Sequence, residues 1–153
     1  MKKHFVVILS AAIAFGACAC GETTEPEQKP TSEEQVDLSE DEQIKQFVQD
    51  TVADNYRSTT VDSITINENL GTDTADDYIV LVNLTWDVKN SAKTTKEMLE
   101  MYTSDLAANL NQTFDSVSEI AVFWAVPYHN SDGKISYEKV DNGMKLADKI
   151  FNF

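Results

Sequence analysis

The sequence predicts an α+β fold in which a helix–strand–strand unit occurs twice, building a four-stranded, mostly antiparallel sheet with two helices on one face. Three observations lead there. Two segments carry apolar residues at helical spacing. Four others carry β-branched and aromatic residues, one of them in strict alternation. The order along the chain is helix, strand, strand, then the same again.

Each element has its own signature. "LSEDEQIKQFVQDTVADNY" opens on Ser39 with Glu42 three residues later, a capping-box pattern. Ile44, Phe47, Val48, Val52 and Tyr56 then fall on one helical face. "TTVDSITINE" reads as a strand and "NLGTDTAD" as a turn-rich loop. In "DYIVLVNLTWDVK", Tyr78, Val80, Val82, Leu84, Trp86 and Val88 alternate with Ile79, Leu81, Asn83, Thr85 and Asp87. The first set is expected to face the helices. "SAKTTKEMLEMYTSDLAANLNQTF" is the second helix, with Met98, Leu99, Tyr102, Leu106 and Leu110 as its buried stripe. "EIAVFWAVPY" is apolar on both faces, as a central strand is. Its alternation puts Trp124 on the helix side with Trp86, and Phe123 on the opposite side. "HNSDGK" is expected to be a hairpin loop turning at Asp132-Gly133, and "ISYEKV" the returning strand. "DNGMKLADKIFNF" fits a short strand or a last helical turn equally well. A helix joining strands 78–88 and 119–128 makes them a central parallel pair if they are neighbours.

The N-terminus carries an address rather than a fold. "MKKHFVVILSAAIAFGA" has a basic start, an uncharged apolar run and small residues at its close, the layout of a secretory signal peptide over residues 1–17. The run is short for a membrane-spanning helix, which needs ~20 apolar residues. Cys18 and Cys20, the two cysteines of the chain, follow at once. A disulfide between them would close a strained ring. Zinc needs about four ligands at suitable spacing, and His129 is the one histidine outside the leader. "AFGAC" and "GACAC" resemble the lipobox of bacterial lipoproteins. That resemblance covers about the first twenty residues and names an export class, not a domain family. It implies cleavage before the modified cysteine and diacylglycerol on its thiol, so that the domain is extracytoplasmic and membrane-anchored by lipid. The family's usual Leu three residues before the cysteine is replaced by Phe15 for Cys18 and by Ala17 for Cys20. Cys18 is the favoured site, because Cys20 would place a cysteine inside the box. Gly21 keeps Cys20 open as the alternative.

Residues 18–38 then form the lipidated start and an acidic tether, and 39–153 a single domain. "GETTEPEQKPTSEEQVD" has too little apolar surface to offset its ordering entropy. The whole chain has 26 acidic and 12 basic residues, with a net charge of −14. Such a balance opposes nucleic acid, whose phosphates require Lys and Arg, and anionic headgroups.

No constellation for chemistry emerges. Gly-x-Ser-x-Gly, His-Glu-x-x-His and Gly-rich phosphate loops are absent from the sequence. His129 reads as an exposed loop residue. The carboxylates of "NENLGTDTADD" fail the EF-hand spacing, so neither a metal nor a cofactor is expected. The aromatics offer more. Phe123, Ile79 and Leu81 share the face opposite the helices. Either the C-terminal segment folds back over them or they form an interaction patch. The expected function is a non-enzymatic binding or accessory module of the cell envelope, with an envelope protein as partner. The alternative is a small envelope-acting hydrolase using carboxylates, which a cleft with convergent acids would favour. A transporter's solute receptor fits less well, since one compact domain lacks the two lobes that close on a ligand.

Overall fold

The computed structural model describes residues 38–68 and 77–153. The leader, Cys18 and Cys20, the acidic tether up to residue 37 and the loop at 69–76 lie outside the described residues. Helix α1 spans Glu40–Asn55. The Ser39 backbone N–H donates to the Glu42 carboxylate at 3.1 Å, and the Ser39 hydroxyl to the same group at 2.9 Å, which satisfies part of the helix's unpaired N-terminal set. Ile44, Val48 and Val52 are buried along its inner face, with Tyr56 closing the stripe. Ser58, at φ 56°, then turns the chain into strand β1, Thr59–Glu68.

Strand β2, Tyr78–Trp86, runs antiparallel to β1. Helix α2, Ala92–Thr113, starts where the Ser91 hydroxyl accepts the Thr94 N–H at 3.2 Å. It carries the chain back to β3, Val117–Val126, which pairs with β2 in parallel. Strand β4, Ser131–Val140, and strand β5, Gly143–Phe151, complete an antiparallel run. The sheet order is β1-β2-β3-β4-β5, with β2–β3 its parallel pair.

The α+β class with two helices and a mostly antiparallel sheet stands, but the sheet has five strands rather than four, and the second unit is helix–strand–strand–strand rather than a repeat of the first. The segment left open between strand and helical turn is β5. Its register against β4 shifts between Ser136 and Tyr137, and such a bulge breaks the two-residue alternation that would have marked a strand. The hairpin loop also differs. Asp132 and Gly133 lie inside β4, and the turn is a 3₁₀ segment, Pro127–His129, ending on Asn130 at φ 49°. Gly133 serves a close approach instead of a turn. A Cβ there would sit 2.7 Å from Cδ1 of the Phe151 ring packed over it.

Both helices join the same face of the sheet in one core. Trp86 and Trp124 lie there, both buried as the alternation predicted. The Trp124 indole N–H donates to the Thr103 hydroxyl at 2.9 Å, and that hydroxyl donates to the Leu99 carbonyl at 2.9 Å. A buried aromatic with a polar handle is thereby satisfied without water.

Candidate binding face

The opposite face of the sheet is built by the other half of each strand's alternation. The register fixes its rows. Asn83 pairs with Phe123, Phe123 with Lys134, and Lys134 with Ile150. The next row is Leu81, Ala121, Ser136 and Asp148, and beyond it lie Ile79, Glu119, Glu138 and Lys145. On the other side, Thr85, Ala125 and Asp132 line up. Phe123 is 37% exposed and Ile150 48%. Ile79 and Leu81 are half-buried, and Ala121 and Ser136 are shielded between their taller neighbours.

The three residues singled out in the sequence thus share one face. The C-terminal segment does not lie over them; it extends the sheet at its edge as β5. That strand adds Ile150, which the sequence reading missed because a segment without an assigned strand has no readable face.

An open groove of about 390 Å³ crosses this face. Phe123, Ala125 and Ile150 line it together with Asp62, Asp132 and Lys134. Asp62 sits on the bulge between Val61 and Ser63, and accepts the Thr85 hydroxyl at 2.7 Å. Asp132 accepts the Asn152 amide. Both carboxylates are therefore held by neutral donors. The two lysines of the face have acidic partners within it: Lys134 lies 3.4 Å from Asp148, and Lys145 3.1 Å from Glu138.

Two other places carry polar side chains. His129 is not the exposed loop residue the sequence suggested. Its Nε2 is 3.0 Å from the hydroxyl of fully buried Thr95, and its ring stacks on Phe153 at 5.2 Å. That is a packing role, fixing the β3–β4 turn against α2. Between the helices, the Tyr56 phenol stacks on Tyr102 at 4.4 Å and donates to Asp105 at 2.9 Å. Burial, and then the Asp105 carboxylate, push this phenol well above the ordinary tyrosine range.

Among the described residues, no group of three or more His, Cys, Asp or Glu side chains is placed to hold a metal ion, and no helix is long and apolar enough to cross a membrane. Comparison with protein-family models, with curated proteins and with solved structures gave no match to this chain.

Proposed function

We propose that this chain is a lipid-anchored, extracytoplasmic, non-enzymatic binding module of the bacterial cell envelope, and that it holds a protein partner on the outer face of its sheet. The leader, Cys18 with Cys20 as alternative, and the acidic tether support the location and the anchor. Two acyl chains hold a protein stably at a membrane, where one is marginal.

One observation carries the binding role: exposed Phe123 and Ile150 stand with half-buried Ile79 and Leu81 on a face that neither helix nor the C-terminal strand covers. An antiparallel sheet with one wet face ordinarily turns polar residues outward. Here the two middle strands turn Leu81, Ala121, Phe123 and Ala125 outward, an apolar strip bordered by polar side chains, as in an interface core with its rim. The face is also large enough. Four strand spacings of ~4.8 Å by a strand length of ~30 Å give roughly 600 Å², close to the ~800 Å² that each partner contributes to a standard interface.

A photo-crosslinker placed at position 123 of the full chain in intact cells tests this. Met101, 53% exposed on α2, is the control position. A discrete protein adduct from 123, absent from 101 and lost on competition with unlabelled wild-type chain, supports the reading. Equal adducts from both positions, or none from 123, overturn it.

A further inference from the structure

We infer that the partner presents an extended basic segment, with basic side chains four residues apart and an apolar side chain midway between them. This rests on the binding reading above and deepens it. Among the described residues, the face carries five carboxylates (Asp62, Glu119, Asp132, Glu138 and Asp148) against two ammonium groups. Both ammonium groups are taken up, Lys134 by Asp148 and Lys145 by Glu138. Asp62, Glu119 and Asp132 have no ammonium partner among the described residues, so the face is acidic by three charges. A second copy of this chain would bring the same excess against it, and an anionic lipid surface would be repelled likewise. A cationic protein segment is the complementary occupant.

The groove makes this more specific. Asp62 is held over Thr85 on β2, and Asp132 is the second residue of β4, opposite Ala125. The two carboxylates are therefore separated by between two and three strand spacings, ~10–14 Å. Between them the register places the small side chains of Thr85 and Ala125, flanked on one side by the row Phe123, Lys134 and Ile150, in which the Lys134 ammonium is already paired with Asp148. An extended segment crossing the strands repeats side chains on one face every second residue, so positions four apart lie ~13 Å from each other. Its two basic ends reach Asp62 and Asp132. The residue midway falls over Ala125 against the Phe123 ring. Arginine suits both ends, since its stem packs on apolar surface while its guanidinium binds a carboxylate.

The test uses the full chain in neutral detergent and labelled peptides read by fluorescence anisotropy. Arg-Ser-Leu-Ser-Arg places both arginines and the leucine on one side when extended. Ser-Arg-Leu-Arg-Ser has the same composition with the leucine on the opposite side, and Glu-Ser-Leu-Ser-Glu reverses the charge. The first peptide is expected to bind about 10-fold more tightly than the acidic one and about 3-fold more tightly than the reordered one. Asp62→Asn and Asp132→Asn, both in exposed positions, should each weaken it by about 3-fold, the scale of an exposed ion pair. Thermal melting of each variant confirms that the fold is kept. Equal affinity for all three peptides, absence of binding by the first, or affinity unchanged in both Asp variants would overturn the inference. A surviving adduct at position 123 would then mean that the face binds protein of another chemistry. Loss of that adduct as well would remove the binding reading itself.

Discussion

Replacing Thr103 by Val removes one hydroxyl and keeps the side chain's shape. The structure makes that a costly change. Thr103 is fully buried on α2, and its oxygen is the acceptor for the Trp124 indole N–H at 2.9 Å. In Thr103→Val the N–H stays buried with no acceptor, which costs ~1–3 kcal/mol. Helix propensity contributes little, since Thr and Val rank together. The Leu99 carbonyl, to which the hydroxyl donates, is a mid-helix carbonyl in reach of the backbone N–H four residues on, so its loss is minor. The expected net destabilisation is about 1.5 kcal/mol, or a drop in Tm of roughly 5–8 °C for a domain of this size. Urea melts followed by far-UV circular dichroism measure it, with an unchanged m-value as the check on mechanism. Trp124→Phe in the Thr103→Val background should cost less than in the wild type, because it removes the orphaned donor. A coupling energy of at least about 1 kcal/mol is expected from the double-mutant cycle. Coupling below about 0.3 kcal/mol would refute the claim that the Thr103 hydroxyl is the acceptor that satisfies the buried Trp124 indole.

Three further outcomes follow from single features of the fold. Trp86→Ala should lose on the order of 3–5 kcal/mol in a denaturant melt, because the ring is 2% exposed beneath the helices; a loss under about 1 kcal/mol would mean its face is misassigned. Gly133→Ala should destabilise by roughly 1–3 kcal/mol, since its Cβ would sit 2.7 Å from the Phe151 ring and 3.1 Å from the Ile150 carbonyl, and Phe151→Ala should relieve part of that loss in the double variant. Tyr56 gives a pH signature. Its folded phenol is raised above its unfolded value by burial and by Asp105, so the stability it contributes is intact below the unfolded value of ~10 and falls as pH rises past it. The urea midpoint of wild type should therefore fall more steeply above pH ~10 than that of Tyr56→Phe, and parallel curves would refute the assignment.

The legible parts of this fold are those whose burial repeats at a fixed period. Ile44, Val48, Val52 and Tyr56 recur at helical spacing and are buried together. Val80, Val82, Leu84 and Trp86 alternate and are buried together. Where the polar groups are buried, periodicity misleads: Thr95 and Thr103 belong to the buried stripe of α2 but read as surface residues in the sequence. Strand β5 was ambiguous because a bulge shifts its alternation and because most of its side chains are exposed at the sheet edge. The same ambiguity hid Ile150 from the candidate face. Gly133 looked like a turn residue because Asp-Gly is a turn dipeptide; its need for space arises from Phe151, which is distant in sequence and visible only once β4 and β5 pair. His129 looked exposed beside a loop, and its partners Thr95 and Phe153 likewise come from other elements. The face itself was legible in part, since alternation alone separates Phe123 from Trp124. Which face the C-terminal segment would cover was a question of pairing, and local pattern does not fix pairing.

The binding role of the outer face is tested most directly by the affinity of wild type and Phe123→Ser for the partner captured at position 123. Phe123 is 37% exposed, so its replacement should cost about 1–2 kcal/mol of stability, well short of a core aromatic's loss, and leave the protein folded. If the ring anchors the interface, the same change should weaken binding by ~2 kcal/mol or more, about 30-fold in Kd. A stable Phe123→Ser protein that binds the partner as tightly as wild type would contradict the account.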